Sequence, residues 1–249
     1  MIISHRHKFI FLHCRKSAGS SFKISTSRYL GPDDLVIGGL KDGLQHGIRP
    51  PRGMVRTAYR HPHWPSVMFK LARGSYWSFV SDSIKQHYVS SLGAIPEHAS
   101  AAAVKAAFPE EWQRYKKICI VRNPWDQLWS EYKWRFKRKA FKSGFDDFVK
   151  RQEQVGHSDR YNLNWDIYTI DNTVSVDRIL YYENLSQDMA DTFAWLSIDW
   201  DGWTPNAKST AQEAGLEAAD NYRAHYTDET RAIVARIRQR EIEQFNYVF

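Results

Sequence analysis

Residues 9–22 read FIFLHCRKSAGSSF. An apolar run breaks into a lysine set among small residues, and a helix pattern follows at once. Ser17, Ala18, Gly19, Ser20 and Ser21 leave room for consecutive backbone N–H groups to point at one anion. The start of the helix adds its positive dipole end, and Lys16 supplies a mobile full charge, with Arg15 beside it. The chemistry these residues can do is oxyanion binding. The pattern is not the nucleotide-triphosphate loop GxxxxGK[ST], because Lys16 precedes the glycine of the loop instead of following it. A kinase or ATPase is thereby demoted.

A second anion site is written in ICIVRNPWDQLWSEY, residues 118–132. Arg122 ends an apolar run, Pro124 suits a first helical turn because its missing N–H would be unpaired there, and Ser130 lies two turns further on. The guanidinium fork binds phosphate and the serine hydroxyl adds a hydrogen bond. Taken alone, the same residues also read as a structural ion-pair partner and a serine tolerated within a helix. Two such cradles suit a ligand with a phosphate at each end.

The elements that must position these residues follow from periodicity. Phe9–Leu12 and Lys117–Val121 are continuous apolar runs that read as buried parallel strands, and Arg178–Tyr182 (RILYY) supplies a third, with Glu183 and Asn184 at its end. SSFKISTSRYL reads as a helix opened by serine. A helix over Arg122–Lys139 follows from Trp125, Trp129, Tyr132 and Phe136, spaced by four, three and four. Helical patterns also cover Ala99–Phe108, Phe145–Val155 and Asn164–Ile170. Ser186 is the expected cap of the helix after the third strand, and Thr227 that of a last helix over Asp228–Phe245 with Ile233, Ile237 and Ile242 among its apolar positions. Gly31–Ser75, rich in Gly, Pro, Arg and His (GPDD, GGLKDG, RPPRG, RHPHWP), reads as a long surface excursion with little regular structure. Strands alternating with helices predict an α/β fold: one domain over 1–249, with a mostly parallel central sheet flanked by helices and ligands beyond the strand C-termini. Within it, 31–98 is the loop-rich excursion and expected acceptor region.

The chain has 249 residues, 43% hydrophobic and 14% aromatic with ten Trp, enough for a sizeable core. Lys and Arg number 35 against 28 Asp and Glu, a formal charge of +7 that favours nucleotides, acidic glycans, nucleic acid or membrane surfaces. Cys14 and Cys119 each adjoin an expected strand and read as reduced core thiols. MIISHRHKFIFLH is too short and too soon charged for a signal peptide, and no apolar stretch reaches the roughly 18 residues of a transmembrane span, so a cytoplasmic enzyme is expected. The run KWRFKRKAFK (Lys133–Lys142), with Trp134, Phe136 and Phe141 interleaved, reads as the solvated face of a helix, with attraction of an anionic acceptor as a further use. Nucleic acid is not an expected partner. Trp64 and Trp77 are possible sugar-stacking positions.

HCRKSAGSSF resembles the 5′-phosphosulfate loop (HxPKTAGTS), and VRNPWDQLWSEY the 3′-phosphate motif (RNPxxRxxSxY), of sulfotransferases that use 3′-phosphoadenosine 5′-phosphosulfate. YYENLSQD is similar to the family's YEDL segment, and TDETRAIVARIRQREIEQFNYVF resembles its closing helix. The order and the separation of about a hundred residues look like the glycan-sulfotransferase branch. The resemblance implies a P-loop-like phosphosulfate loop after the first strand and transfer of a sulfuryl group to a hydroxyl or amine of a glycan or small metabolite. It also implies 3′,5′-ADP as the product and no metal. It implies that Arg15, Lys16, Ser17, Ala18, Gly19, Ser20 and Ser21 hold the 5′ side, that Lys16 neutralises the leaving oxygen, that Arg122 and Ser130 hold the 3′-phosphate, and that Tyr182 packs on adenine. For the base it points to His98, upstream of the second strand, with His46 in a Gly-flanked loop as second choice. Two positions depart from the pattern: Arg15 replaces a proline and Gln127 an arginine. Gly31–His98 has no counterpart in the resemblance. The competing readings are a nucleotide-binding phosphotransferase, whose Mg²⁺ carboxylates have no evident position, and a polyanion-binding protein, which accounts only for the charge.

Overall fold

The two most apolar runs become the centre of the sheet. In the computed structural model, which describes residues 1–71, 76–138, 142–155, 164–205 and 221–249, β1 (Ile2–Ser4) and β2 (Phe9–Leu12) form an antiparallel hairpin. All four residues of β2 are buried, as a strand covered on both faces requires. Asp34 fixes the hairpin turn: its carboxylate accepts from Ser4 Oγ (2.7 Å), His5 N (2.7 Å), Arg6 N (3.1 Å) and Gly31 N (2.9 Å). A buried carboxylate is tolerated when its lone pairs are occupied in this way.

Beyond β2 come α1 (Gly19–Ser27), β3 (Leu35–Val36), α2 (Leu40–Gln45), α3 (Arg52–Arg60), α4 (Trp64–Leu71) and α5 (Tyr76–Leu92). The excursion of little regular structure expected over Gly31–Ser75 is therefore corrected: β3 and three helices lie within it, and only 72–75 fall outside the described residues. The glycines and prolines that read as breakers stand at helix starts. Gly39 is the N-cap of α2, Pro51 the N-cap of α3, and Pro65 lies in the first turn of α4. Met54 and Ala58, one turn apart, then bury one face of α3.

A 3₁₀ turn, Pro96–His98, leads to α6 (Ala101–Ala107), whose cap Ser100 accepts from Ala103 N at 3.2 Å. α7 (Pro109–Arg114), β4 (Lys116–Val121), α8 (Pro124–Lys137) and α9 (Phe145–Val155) follow. α10 (Trp165–Tyr168) is shorter than expected, because β5 (Thr169–Ile170) turns back through a hairpin into β6 (Thr173–Val174). Next come β7 (Arg178–Tyr181), a 3₁₀ turn Tyr182–Asn184, and α11 (Leu185–Trp195). Asn184 occupies the N-cap of α11, so Ser186 lies inside the helix and does not cap it. The expected last helix is broken at Arg238 into α12 (Asp228–Ile237) and α13 (Gln239–Phe245); Thr227 closes a capping box on α12.

The main sheet has the order β3-β1-β2-β4-β7. β2 pairs parallel with β4 (Leu12 beside Cys119) and β4 parallel with β7 (Val121 beside Tyr181). β1 runs against both β2 and β3, so the sheet is mixed, with four strands in one direction and β1 opposed. The architecture is a single α/β domain with helices flanking this sheet. Its core holds β2 and β4 together with Phe22, Tyr168 and Phe193, and a second cluster built on Trp125, Trp129, Phe148 and Ile233 joins α8, α9 and α12. Cys14 and Cys119 are free and buried, and burial, with Cys14 beside it, pushes the Cys119 thiol well up. No helix among the described residues is long and apolar enough to cross a membrane.

Candidate functional site

Parallel pairing aligns the C-terminal tips of β2, β4 and β7, so the segments that follow them meet at one edge of the sheet. After β2, Lys16 and Ala18 both take left-handed backbone conformations, φ 56° each, separated by Ser17. Alternation of this kind curls successive N–H groups toward a common point. A non-glycine residue held left-handed costs on the order of 1 kcal/mol and persists where its surroundings fix it. Here the surroundings are hydrogen bonds. Asn164 Oδ1 accepts from Arg15 N (2.7 Å), while the Arg15 carbonyl accepts from Asn164 Nδ2, Gln127 Nε2 and Ser17 Oγ, each at 3.1 Å. Gln127, where the sulfotransferase pattern has arginine, thus anchors the first loop.

The loop runs into α1 at Gly19. Its N-cap, Ala18, makes no side-chain cap bond, and the first turn holds no acidic residue, so the positive helix end is not neutralised from within. Glycine at 19 has a packing reason: a Cβ there would stand 2.0 Å from His13 Cδ2. His13 thereby packs against the start of the helix.

After β4, Asn123 caps α8 by accepting from Trp125 N (3.1 Å), and its own N–H donates to Glu183 Oε1 (2.6 Å) beyond β7. Arg122 is bound on three sides. Nε and Nη2 donate to Asp126 Oδ2 at 2.8 and 2.7 Å, Nη1 donates to the Lys16 carbonyl at 3.0 Å, and the guanidinium lies 3.8 Å from the Tyr182 ring centre. The ion pair is real, and the same side chain ties the second anion loop to the first.

Every residue from Arg15 to Ser21, with Arg122, Ser130, Tyr182 and His98, lines one cleft of about 680 Å³. That is within the size range of small-molecule sites, roughly 300–1,000 Å³. His98 Nδ1 donates to the His13 carbonyl at 2.7 Å, which leaves Nε2 as the unprotonated nitrogen, and the two imidazoles lie 4.6 Å apart. Burial, then the positive charge of Arg15, holds the His98 pKa down at about 3. It is a neutral imidazole at neutral pH.

His46 is not brought to the cleft. It follows the last residue of α2 and sets its ring edge-on to Trp203 at 5.6 Å, in a shallower depression with Ser27 and Arg28 at the far end of α1. A loop between glycines gave no hint that a helix would carry it there. Conversely, the cleft includes residues not assigned from the sequence: His13, Glu131, Trp134 and Glu183. Glu131 is buried and paired with Arg135 Nε at 2.9 Å. Lys16 Nζ lies 5.8 Å from the Trp134 ring centre. Trp134 is four residues after Ser130 and shares its side of α8, a signal that helical spacing offered.

The basic run turns its cations onto the protein's own aromatics: Lys133 onto Trp129 (5.2 Å), Arg135 onto Phe148 (5.5 Å) and Arg138 onto Trp134 (4.4 Å). Phe141 and Lys139 lie outside the described residues. Among the described residues, no group of three or more His, Cys, Asp or Glu side chains can hold a metal ion.

Comparison with known proteins gives one family. A model described as the sulfotransferase family matches residues 1–248. Among solved structures, the crystal structure of sulfotransferase from Alicyclobacillus acidocaldarius is similar at 14% identity and a TM-score of 0.39, covering 99% of this chain and 89% of that one. No curated protein matches.

Proposed function

The chain belongs to the sulfotransferase family, and on that premise we propose that it moves a sulfuryl group from 3′-phosphoadenosine 5′-phosphosulfate to a hydroxyl or amine of a glycan or small metabolite. The observation that carries this reading is the 3.0 Å bond from Arg122 Nη1 to the Lys16 carbonyl, which puts both anion loops on one cleft. The left-handed turns at Lys16 and Ala18 and the start of α1, which has no side-chain cap bond and no acidic residue in its first turn, suit a phosphate ester, since successive N–H groups and the positive helix end favour an anion there. The donor, when bound, supplies the activated sulfuryl group.

The protein's own residues then have distinct tasks. N–H groups and hydroxyls from Ser17 to Ser21 bind the 5′ side. Lys16 places its ammonium where negative charge develops on the departing oxygen, the kind of contact whose loss costs on the order of a hundredfold or more in rate. Arg122 and Ser130 bind the 3′-phosphate, and Tyr182 packs on the purine. The acceptor oxygen or nitrogen forms the new bond to sulfur, the bond from sulfur to the phosphate oxygen breaks, and His98 Nε2 takes the acceptor's proton. An anion bound at Arg15 cancels the charge that helps depress His98 and so raises its basicity.

Calorimetric titration of the full chain with 3′,5′-ADP, and separately with ATP and Mg²⁺, tests the proposal. Saturable binding of 3′,5′-ADP, weakened in Arg122→Ala, is expected. Tight binding of ATP with no response to 3′,5′-ADP overturns it in favour of a phosphotransferase. A panel of glycans, phenols and amino compounds with radiolabelled donor then identifies the acceptor.

A further inference from the structure

Residues 43–81 contain no aspartate or glutamate, whereas they carry Arg49, Arg52, Arg56 and Arg60 before Lys70. The structure makes this bias into a surface. On α3 the arginines at 52, 56 and 60 recur every four residues and are all exposed, opposite the buried Met54 and Ala58; Arg49, just before the helix, is exposed as well. Among the described residues, none of these four arginines has a carboxylate partner.

Exposed apolar side chains follow closely in the chain. Tyr59, Trp64 and Met68 are 62%, 65% and 76% exposed, three of the six large hydrophobic side chains left in water among the described residues, and they fall within ten positions of one another. Trp64 and Met68 stand one turn apart on α4 and share a side of it. A guanidinium row beside an exposed Trp, Tyr and Met is the composition of a helix surface that lies in the headgroup layer of a membrane, with arginines on phosphates and apolar tips below them.

We propose that the exposed arginines of α3, with Tyr59 and the exposed Trp64 and Met68 of α4, dock on an anionic phospholipid surface. An acidic polysaccharide would satisfy the arginines but offers no apolar phase for Met68. A twofold contact with a second copy would set the arginine row against itself, which like charges oppose. Attachment of this kind is peripheral: the two helices have nine and eight residues, too short to span.

The test is co-sedimentation of the full chain with vesicles of phosphatidylcholine, with and without phosphatidylglycerol. Binding to the anionic vesicles alone is expected. Arg56→Ala with Arg60→Ala should weaken partition about twenty-fivefold, roughly fivefold per arginine. Trp64→Ser with Met68→Ser, which leaves the charge unchanged, should weaken it at least about tenfold. The proposal falls if the serine pair binds vesicles as well as the parent. It falls equally if the chain ignores vesicles but is retained on heparin, or if it ignores vesicles and sediments as a dimer that the serine pair dissociates. All of these residues lie outside the cleft, so 3′,5′-ADP binding by each variant reports its folding; loss of that binding in the parent too would count against the donor assignment and not against the membrane face.

Discussion

Gly19 shows how closely the candidate site depends on single atoms. Gly19→Ala puts a methyl into the space of the His13 ring, and because that ring is itself packed against His98, the expected result is a loss of 3′,5′-ADP affinity with the sheet intact, read by calorimetry beside circular dichroism. Lys16→Ala should reduce transfer from labelled donor by about a hundredfold or more. His98 gives a pH signature. In the folded chain its pKa is about 3, against roughly 6.5 when unfolded, so the unfolded state binds a proton that the folded state refuses. The stability this contributes is complete above about pH 6.5 and is lost as the pH falls toward 3. In His98→Gln that loss is absent, and the melting temperature should drop less between about pH 7 and pH 4 than it does in the parent.

At the scale of elements, the joint between β4 and α8 is tied to two other segments of the chain. Asn123 caps the helix, donates its N–H to Glu183 and donates Nδ2 to the Val248 carbonyl at 2.8 Å. Asn123→Ala should therefore destabilise the chain by about 1–2 kcal/mol, more than a surface cap alone, with an unchanged denaturant slope in urea unfolding. Sequence reading located this joint because FIFL and KICIV are apolar without interruption and α8 repeats its aromatics at helical spacing. β1 and β3, three and two residues long, are too short to show a period. Helices α2 to α4 were hidden for a different reason: Gly39, Pro51 and Pro65 mark helix starts there, and the local pattern does not distinguish a start from a break. The placement of Asn164 against the Arg15 loop depends on tertiary packing across 149 positions, which no local signal encodes. That Lys16, Arg122 and Ser130 line one cleft is legible from the sequence because parallel strands bring their tips together whatever the intervening chain does.

For the molecule as a whole, ligand and fold are linked by mass action. A ligand that binds only the folded state at a hundred times its dissociation constant stabilises by about 2.7 kcal/mol. In a chain of this size that should raise the melting temperature by roughly 5–10 °C for 3′,5′-ADP, measurable by scanning calorimetry. The bond between Arg122 and the Lys16 carbonyl has a further consequence. It spans 106 positions of sequence, and each partner already helps to shape the other's pocket. The two segments are then poorly placed to vary independently over descent: a replacement at Arg122 alters the ground on which any change near Lys16 is selected, and epistasis between these distant stretches is the pattern that a double-mutant cycle on 3′,5′-ADP affinity should reveal.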